Sequence, residues 1–314
     1  MAQRFLRTPG RGLVARLGIF IGVLPLIGWL GGSHWLLDIL NHFQLQFLVF
    51  AGLCGVILLC LKAWRLAILV GVFFMLPVVR IGSTLMPTTE VAHGTSLRFA
   101  SFNVLTSNTR YADAVAWIRA TDPDVIYLPE VDAVWAAELR PLLASHPHVV
   151  EHILEENLGF ACYSKLPILK QEIIGCGEMK LPLLKLRLQG PAGEFTFLGA
   201  HPVPPTTEFW ANNRDAFLKA IADQAQAESG PVVLAGDLNA TAWSHGMKPL
   251  FAAGLRGASV TPTWLRGSLV FAVPIDHLLY RGPKDEPQAA KCEKRWVGPD
   301  LGSDHRPVVA EIAW

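Results

Sequence analysis

Residues 230–243 read Gly-Pro-Val-Val-Leu-Ala-Gly-Asp-Leu-Asn-Ala-Thr-Ala-Trp. The run Pro231–Ala235 is short, apolar and bounded by glycines, which is the pattern of a strand buried on both faces. Asp237 and Asn239 follow it immediately. Alone, such a pair reads as an Asx turn. Yet the same arrangement recurs, with polar residues at the end of an apolar run in Ser101-Phe-Asn103, Leu128-Pro-Glu130, Gly199-Ala-His201, Ile275-Asp276-His277 and Gly302-Ser-Asp304-His305. Strand ends gather at one rim of a sheet, where sites form. One such cluster is ordinary, but six imply a shared site.

The segments between these clusters define the architecture. Strands are expected at Leu97–Val104, Val125–Leu128, Phe160–Ser164, Ile168–Ile174, Leu181–Leu188, Phe195–Ala200, Pro231–Ala235, Ile275–Tyr280 and Pro307–Ile312. Helical spacing marks Tyr111–Ala120, Val134–Leu143 and Phe209–Gln226. Several strands in succession without helices between them exclude a purely doubly wound parallel sheet. Mixed sheets packed on each other with helices outside fit better.

The ordered set Asn103, Glu130, His201, Asp237-Leu-Asn239, Asp276-His277 and Ser303-Asp304-His305 resembles the endonuclease/exonuclease/phosphatase superfamily, which includes nucleases, phosphatases and sphingomyelinases. Tyr163-Ser164-Lys165 with Pro167-Ile168, and Thr261-Pro-Thr-Trp264, are similar to further family segments. The resemblance implies an α/β fold, a four-layered sandwich of two mixed sheets face to face with helices outside. It implies Mg²⁺ or Mn²⁺ at Glu130 with Asn103 beside it. It gives Asp237 the attacking water, Asn239 and His201 the phosphoryl oxygens, and His305 the proton donor. Asp276 orients His305, Asp304 lies near the metal or leaving group, and His277 is the weaker member of its pair. Pro129 stands where the family has Gln, which puts the surroundings of the metal in question but not the acid itself. Such a mix suits phosphate-ester hydrolysis, because a cation and fixed donors stabilise the charge that develops on phosphoryl oxygens.

The first part of the chain has a different character. Apolar runs at about 17–37, 45–61 and 66–86 meet or approach the roughly 20 residues needed to span a bilayer. The third suffices only if Arg80 snorkels toward the interface. A cleaved signal peptide does not fit, since no small-residue cleavage site follows the first run and two more runs come after it. The expected organisation is a membrane anchor over 1–90 and a catalytic domain over 91–314, joined by a polar linker at 88–96. Arg4, Arg7, Arg11 and Arg16 precede the first run, and Lys62 and Arg65 separate the second and third, whereas the 38–42 loop has no basic residue. The positive-inside rule then puts the N-terminus in the cytoplasm and, after three crossings, the catalytic domain outside it, as in a multi-pass protein of a bacterial inner membrane; with two crossings the catalytic domain is cytoplasmic.

Charge divides in the same way. Residues 1–93 carry seven basic and two acidic side chains, and the remainder carries 20 basic and 24 acidic ones. A slightly acidic catalytic part is a poor match for long nucleic acid. The expected partners are therefore the bilayer and a phosphate-ester substrate, such as a lipid headgroup or lipid-linked phosphate. A nuclease outside the cytoplasm ranks second, with Arg256, Arg266, Lys284, Lys291, Lys294 and Arg295 as phosphate contacts. A non-catalytic membrane adaptor ranks third. Of five cysteines, Cys162, Cys176 and Cys292 lie in the soluble part, an odd number that permits one disulfide at most. No close-spaced Cys or His pair suggests zinc, and the sequence sets no oligomeric state.

Overall fold

The computed structural model describes residues 9–85, 96–154, 157–268 and 270–314. Arg4, Arg7 and most of the expected linker, residues 88–95, lie outside them. The chain forms two compact units: Met1–Met86 together with Trp243–His245, and Pro87–Ala242 together with Gly246–Trp314.

In the first unit the helices are α1 (Pro9–Gly28), α2 (Trp35–Ile39), α3 (Gln44–Cys60) and α4 (Trp64–Leu85), with 3₁₀ turns at Trp29–Gly32 and Leu40–Phe43. Three stretches, Gly10–Gly32, Trp35–Cys60 and Trp64–Thr84, are helical, long and apolar enough to cross a membrane. Their small core is Ala15, Leu58, Ala67 and Val70. Most of their apolar side chains face outward, among them Phe20, Val49, Ile68 and Val72, all more than half exposed. That is the distribution expected when the surrounding medium is itself apolar. The first helix begins earlier than the hydropathy pattern suggests, at Pro9, and α4 runs unbroken through Arg80. Arg80 does not reach outward: its guanidinium donates to Asn41 Oδ1 at 2.6 Å and to the Trp243 carbonyl at 3.0 Å.

The second unit holds β1 (Leu97–Ser101), α5 (Tyr111–Thr121), β2 (Val125–Pro129), α6 (Ala133–Leu139), β3 (His148–His152), β4 (Phe160–Ser164), β5 (Ile168–Cys176), β6 (Leu181–Gly190) and β7 (Gly193–Ala200). It continues with α7 (Glu208–Ala227), β8 (Val232–Asp237), α8 (Lys248–Ala252), β9 (Asp276–Arg281), β10 (Lys291–Val297) and β11 (Val308–Ala313). One sheet has the order β10-β11-β1-β2-β4-β3 and the other β5-β6-β7-β8-β9. Both are mixed, with β1–β2 and β7–β8 parallel and the remaining pairs antiparallel.

Strand alternation sends alternate side chains to opposite faces, and three cores result. Phe99, Tyr127, Leu186, Phe197, Val233 and Leu278 meet between the sheets. Ala114, Ile118, Trp135 and Leu139 of α5 and α6 cover the outer face of the first sheet. Phe217, Leu218, Ile221 and Leu250 of α7 and α8 cover that of the second. This is a four-layered α/β sandwich. Side-chain caps start two helices of this unit: Asp132 accepts from Trp135 N, and Thr207 accepts from Trp210 N. At the other end of α5, Asp122 takes a left-handed φ of 51° and Pro123 follows, so the helix stops there.

Several expected elements change. The first strand is regular only to Ser101 rather than Val104, although Phe102 N and Val104 N still donate to the carbonyls of Tyr127 and Pro129 on β2. The second helix tightens into a 3₁₀ turn at Arg140–Ala144, where Pro141 lacks the amide needed to continue. Strands β3 and β10 and helix α8 are additions to the sequence reading. Cys54, Cys60, Cys162, Cys176 and Cys292 are all free thiols.

Candidate active site

Sheet direction assembles the site. Asn103, Glu130, His201 and Asp237 lie at or just beyond the C-terminal ends of β1, β2, β7 and β8. Asp276 opens β9, and Asp304 and His305 precede β11. Because β9 runs antiparallel to β8 and β11 antiparallel to β1, these N-terminal ends fall on the same rim as the four C-terminal ends. All six polar clusters therefore converge, although they are spread from Ser101 to His305 along the sequence.

Asp237 is the hub. Its Oδ2 lies 3.2 Å from Asn103 Nδ2, 3.6 Å from His201 Nε2 and 3.5 Å from His305 Nε2. Its Oδ1 accepts from Asn239 N at 2.9 Å. Burial raises the Asp237 carboxyl above the ordinary carboxylate range, against the nearby imidazoles. Asn103 Nδ2 also donates to Glu130 Oε1 at 2.8 Å, while its Oδ1 accepts from Leu105 N, which fixes the orientation of the amide. His201 Nε2 stands 3.8 Å from Glu130 Oε1.

On the other flank, His305 Nδ1 meets Asp276 Oδ2 at 2.9 Å. Burial disfavours the imidazolium. Asp276, then Asp237 and the hydrogen bond to Asp276, outweigh burial and push His305 up to about 10. The ring is therefore charged at neutral pH and aims Nε2 at Asp237. Asp304 Oδ1 lies 4.0 Å from that nitrogen. Trp264 Nε1 donates to Asp304 Oδ2 at 2.9 Å and holds it there. Ser303 Oγ donates to the Asn103 carbonyl and accepts from His305 N, tying the loops after β1 and before β11 together.

Backbone geometry is special at the same places. Glu130 (φ 63°) and Asn239 (φ 47°) both occupy the left-handed region, which non-glycine residues enter at a cost and which clusters at functional sites. Gly236 has φ 152°, and a Cβ there would overlap the Ala200 carbonyl oxygen. Only glycine lets β8 approach β7 closely enough to set Asp237 beside His201.

Two residue sets have the donors for a metal. Asp237, Asp276 and His305 offer one ligand atom each within 4.8 Å of one another. In that group, however, His305 Nδ1 is already committed to Asp276. Glu130 has the better free atom: its Oε2 is buried and has no hydrogen-bond partner, a costly state unless something cationic faces it. Hard carboxylate oxygens beside an amide suit a small divalent cation.

Not every expected residue behaves alike. Asn239 turns its Nδ2 toward the Pro202 carbonyl at 2.8 Å, which leaves one amide hydrogen for a ligand. His277 is fully buried, with Nε2 on the Ala240 carbonyl and Nδ1 accepting from Ser259 N, and burial lowers it to about 4. It packs as a neutral ring. Sequence reasoning passed over Arg214, which is 1% exposed and donates to the Asn239 carbonyl. The signal was present: Ala211, Arg214, Phe217, Leu218 and Ile221 form one helical stripe, so an arginine sits where an apolar residue is expected. Trp264 stands out in the sequence only as part of the Thr261–Trp264 segment, and its bond to Asp304 is a product of the fold.

The Endonuclease/Exonuclease/phosphatase family model matches residues 100–305, and the chain belongs to that family. Among solved structures it is similar to a humanized D. rerio TDP2 with 14 mutations, at 18% identity and TM-score 0.59, covering 70% of this chain and 99% of that one. It is also similar to sphingomyelinase C from Streptomyces griseocarneus, at 18% identity and TM-score 0.52, covering 69% and 99%. A mutant beta toxin from Staphylococcus aureus with bound magnesium ions matches at 18% identity and TM-score 0.52, again covering 69% and 99%. At these identities the likeness is one of fold. No curated protein sequence matches the chain.

Proposed function

We propose that this chain is a membrane-anchored, divalent-metal-dependent phosphoesterase, with residues 1–90 as anchor and 91–314 as catalytic domain. The observation that carries the reading is Asp237 Oδ2, shared among Asn103, His201 and His305 while His305 is held from behind by Asp276. A carboxylate next to a charged imidazole can align a water against a phosphorus atom while the imidazolium offers a proton to a phosphoryl oxygen.

In this reading Asp237 positions and deprotonates the water. His305 donates through Nε2, and Asp276 fixes its orientation and charge. Asn239 and His201 bind phosphoryl oxygens, and Asp304, held by Trp264, faces the leaving group. Glu130 takes Mg²⁺ or Mn²⁺ through Oε2, and Asn103 fixes its Oε1. When bound, the cation supplies charge neutralisation at the phosphoryl oxygens.

The preferred substrate is a lipid headgroup or lipid-linked phosphate, because three apolar spans keep the enzyme at a bilayer. The basic loop at 62–65 and the absence of Lys and Arg at 38–42 favour an extracytoplasmic catalytic domain. The nuclease reading is weaker, since four of its six phosphate contacts already bond groups of the protein. Arg256 bonds Gln288, Arg266 bonds Asp300, Lys284 bonds the Gln226 carbonyl and Arg295 the Leu278 carbonyl.

The test is hydrolysis of bis-p-nitrophenyl phosphate and p-nitrophenyl phosphate by the full chain in detergent, with Mg²⁺ or Mn²⁺. Turnover that requires the cation and is lost in both His305→Ala and Glu130→Gln is expected. Turnover indifferent to chelation, or to both substitutions, would sink the proposal. Preference for the diester points to a phosphodiesterase, and preference for the monoester to a phosphatase.

A further inference from the structure

The first compact unit contains three residues from far along the sequence, Trp243-Ser244-His245. They enter it on a buried polar cluster, which is unusual among helices so apolar. Asp38 is 3% exposed and accepts hydrogen bonds from Asn41 Nδ2 at 2.9 Å, Ser244 Oγ at 2.6 Å and His245 N at 2.8 Å. The last two donors belong to the 243–245 segment. Arg80, from α4, donates to the Trp243 carbonyl, and Trp243 Nε1 donates back to Thr84 Oγ1 at 3.1 Å. Asn41 links Arg80 to Asp38 and also donates to the Gly28 carbonyl. At Gly32 a Cβ would lie 2.9 Å from His245 Nδ1, so a larger residue would crowd the seat.

A buried carboxylate and a half-buried guanidinium on apolar helices are costly unless paired, and such residues mark function more often than packing. Here their hydrogen bonds are directed at one short stretch of chain. That stretch begins four residues after Asn239. The residues between are held throughout: Ala240, Thr241 and Ala242 are buried, the Asn239 carbonyl is taken by Arg214, and the Ala240 carbonyl by His277. Four residues span at most about 14 Å, so Trp243 is tied to Asn239 by a short covalent tether.

We propose that Asp38 and Arg80 clamp Trp243-Ser244-His245 and thereby position the Asp237-Leu238-Asn239 turn. The hydrophobic unit would then contribute to turnover and not serve only as a tether. Asp38 and Arg80 are positioning residues, since neither belongs to the set that faces the phosphate. The kinetic consequence rests on the phosphoesterase reading, whereas the clamp itself does not.

The experiment compares the full chain with Asp38→Asn and Ser244→Ala in detergent micelles. Two readouts are taken: amide hydrogen exchange of the peptide covering 240–247, and kcat and KM for bis-p-nitrophenyl phosphate with Mg²⁺. Asp38→Asn is expected to speed exchange at His245 by about tenfold or more, the equivalent of one charge-assisted hydrogen bond. It is expected to lower kcat with KM unchanged, and Ser244→Ala to act in the same direction but less. If Asp38→Asn does not assemble, Ser244→Ala decides by the same criteria. Wild-type exchange in the variant that folds would overturn the clamp. Faster exchange with wild-type kcat would overturn the positioning role. A wild-type protein with no turnover at all would count against the phosphoesterase reading, while the exchange measurement would still judge the clamp.

Discussion

Replacing Asp276 by Asn tests the chemistry at its most sensitive bond. Asp276 is wholly buried, its Oδ2 2.9 Å from His305 Nδ1. Asn keeps the volume but removes the charge, and can present an N–H where an acceptor is needed. A hydrogen bond to a charged partner is worth about 1.5–3 kcal/mol. If that stabilisation is expressed in the transition state, kcat falls roughly 10- to 150-fold, at about 1.4 kcal/mol per tenfold. The pH profile should also change. Burial alone would lower the His305 pKa, and Asp276 is the leading charge that instead holds it at about 10. Activity that requires the imidazolium is therefore kept up to about pH 10 in the native enzyme and lost above it. In Asp276→Asn that alkaline limb moves toward neutrality. The assay is kcat against pH on bis-p-nitrophenyl phosphate at saturating Mg²⁺. A kcat within about threefold of wild type, with the alkaline limb unmoved, would refute the assignment of His305 as the charged donor.

Two further predictions concern stability. Gly236→Ala puts a Cβ into the Ala200 carbonyl at φ 152°, and overpacking of this kind costs about 3 kcal/mol; thermal unfolding should begin about 6–12 °C lower, and an unchanged midpoint would show that β7 and β8 separate more easily than argued. Burial depresses His277 from 6.5 to about 4, so the unfolded chain takes up that proton first as pH falls. The stability concerned is fully present above about pH 6.5 and lost as pH drops through about 4, amounting to about 3 kcal/mol. Unfolding measured across that window should depend less steeply on pH in His277→Gln; an identical slope would place the dependence elsewhere.

Much of this protein is legible in local sequence. Apolar runs with glycine and proline punctuation reveal β2, β4, β7 and β8, because a strand buried on both faces has no polar period to obscure it. The three hydrophobic runs are equally plain, and the helices of the first unit follow them within a turn or two. The two strands that were not legible, β3 and β10, are the two edges of the six-stranded sheet. An edge strand pairs on one side only and carries mixed, partly exposed side chains, so its pattern does not stand out from a loop. The family motifs made Asn103, Glu130, His201, Asp237, Asn239, Asp276, Asp304 and His305 candidates before any coordinates.

The sequence by itself determined most of the strands, the apolar helices and the polar residues that end them, since those properties depend on neighbours a few positions away. Tertiary structure alone decided who meets whom. Parallel and antiparallel pairing brings four C-terminal strand ends and two N-terminal approaches to one rim, and that direction is not written in any local pattern. Arg214 beneath Asn239 and Trp264 beside Asp304 are consequences of the same packing. One long relation joins Asp38 to Ser244, 206 positions away, and to His245, 207 away. In the sequence Asp38 is an isolated acid in an apolar stretch. Only the fold supplies the donors that make its burial tolerable.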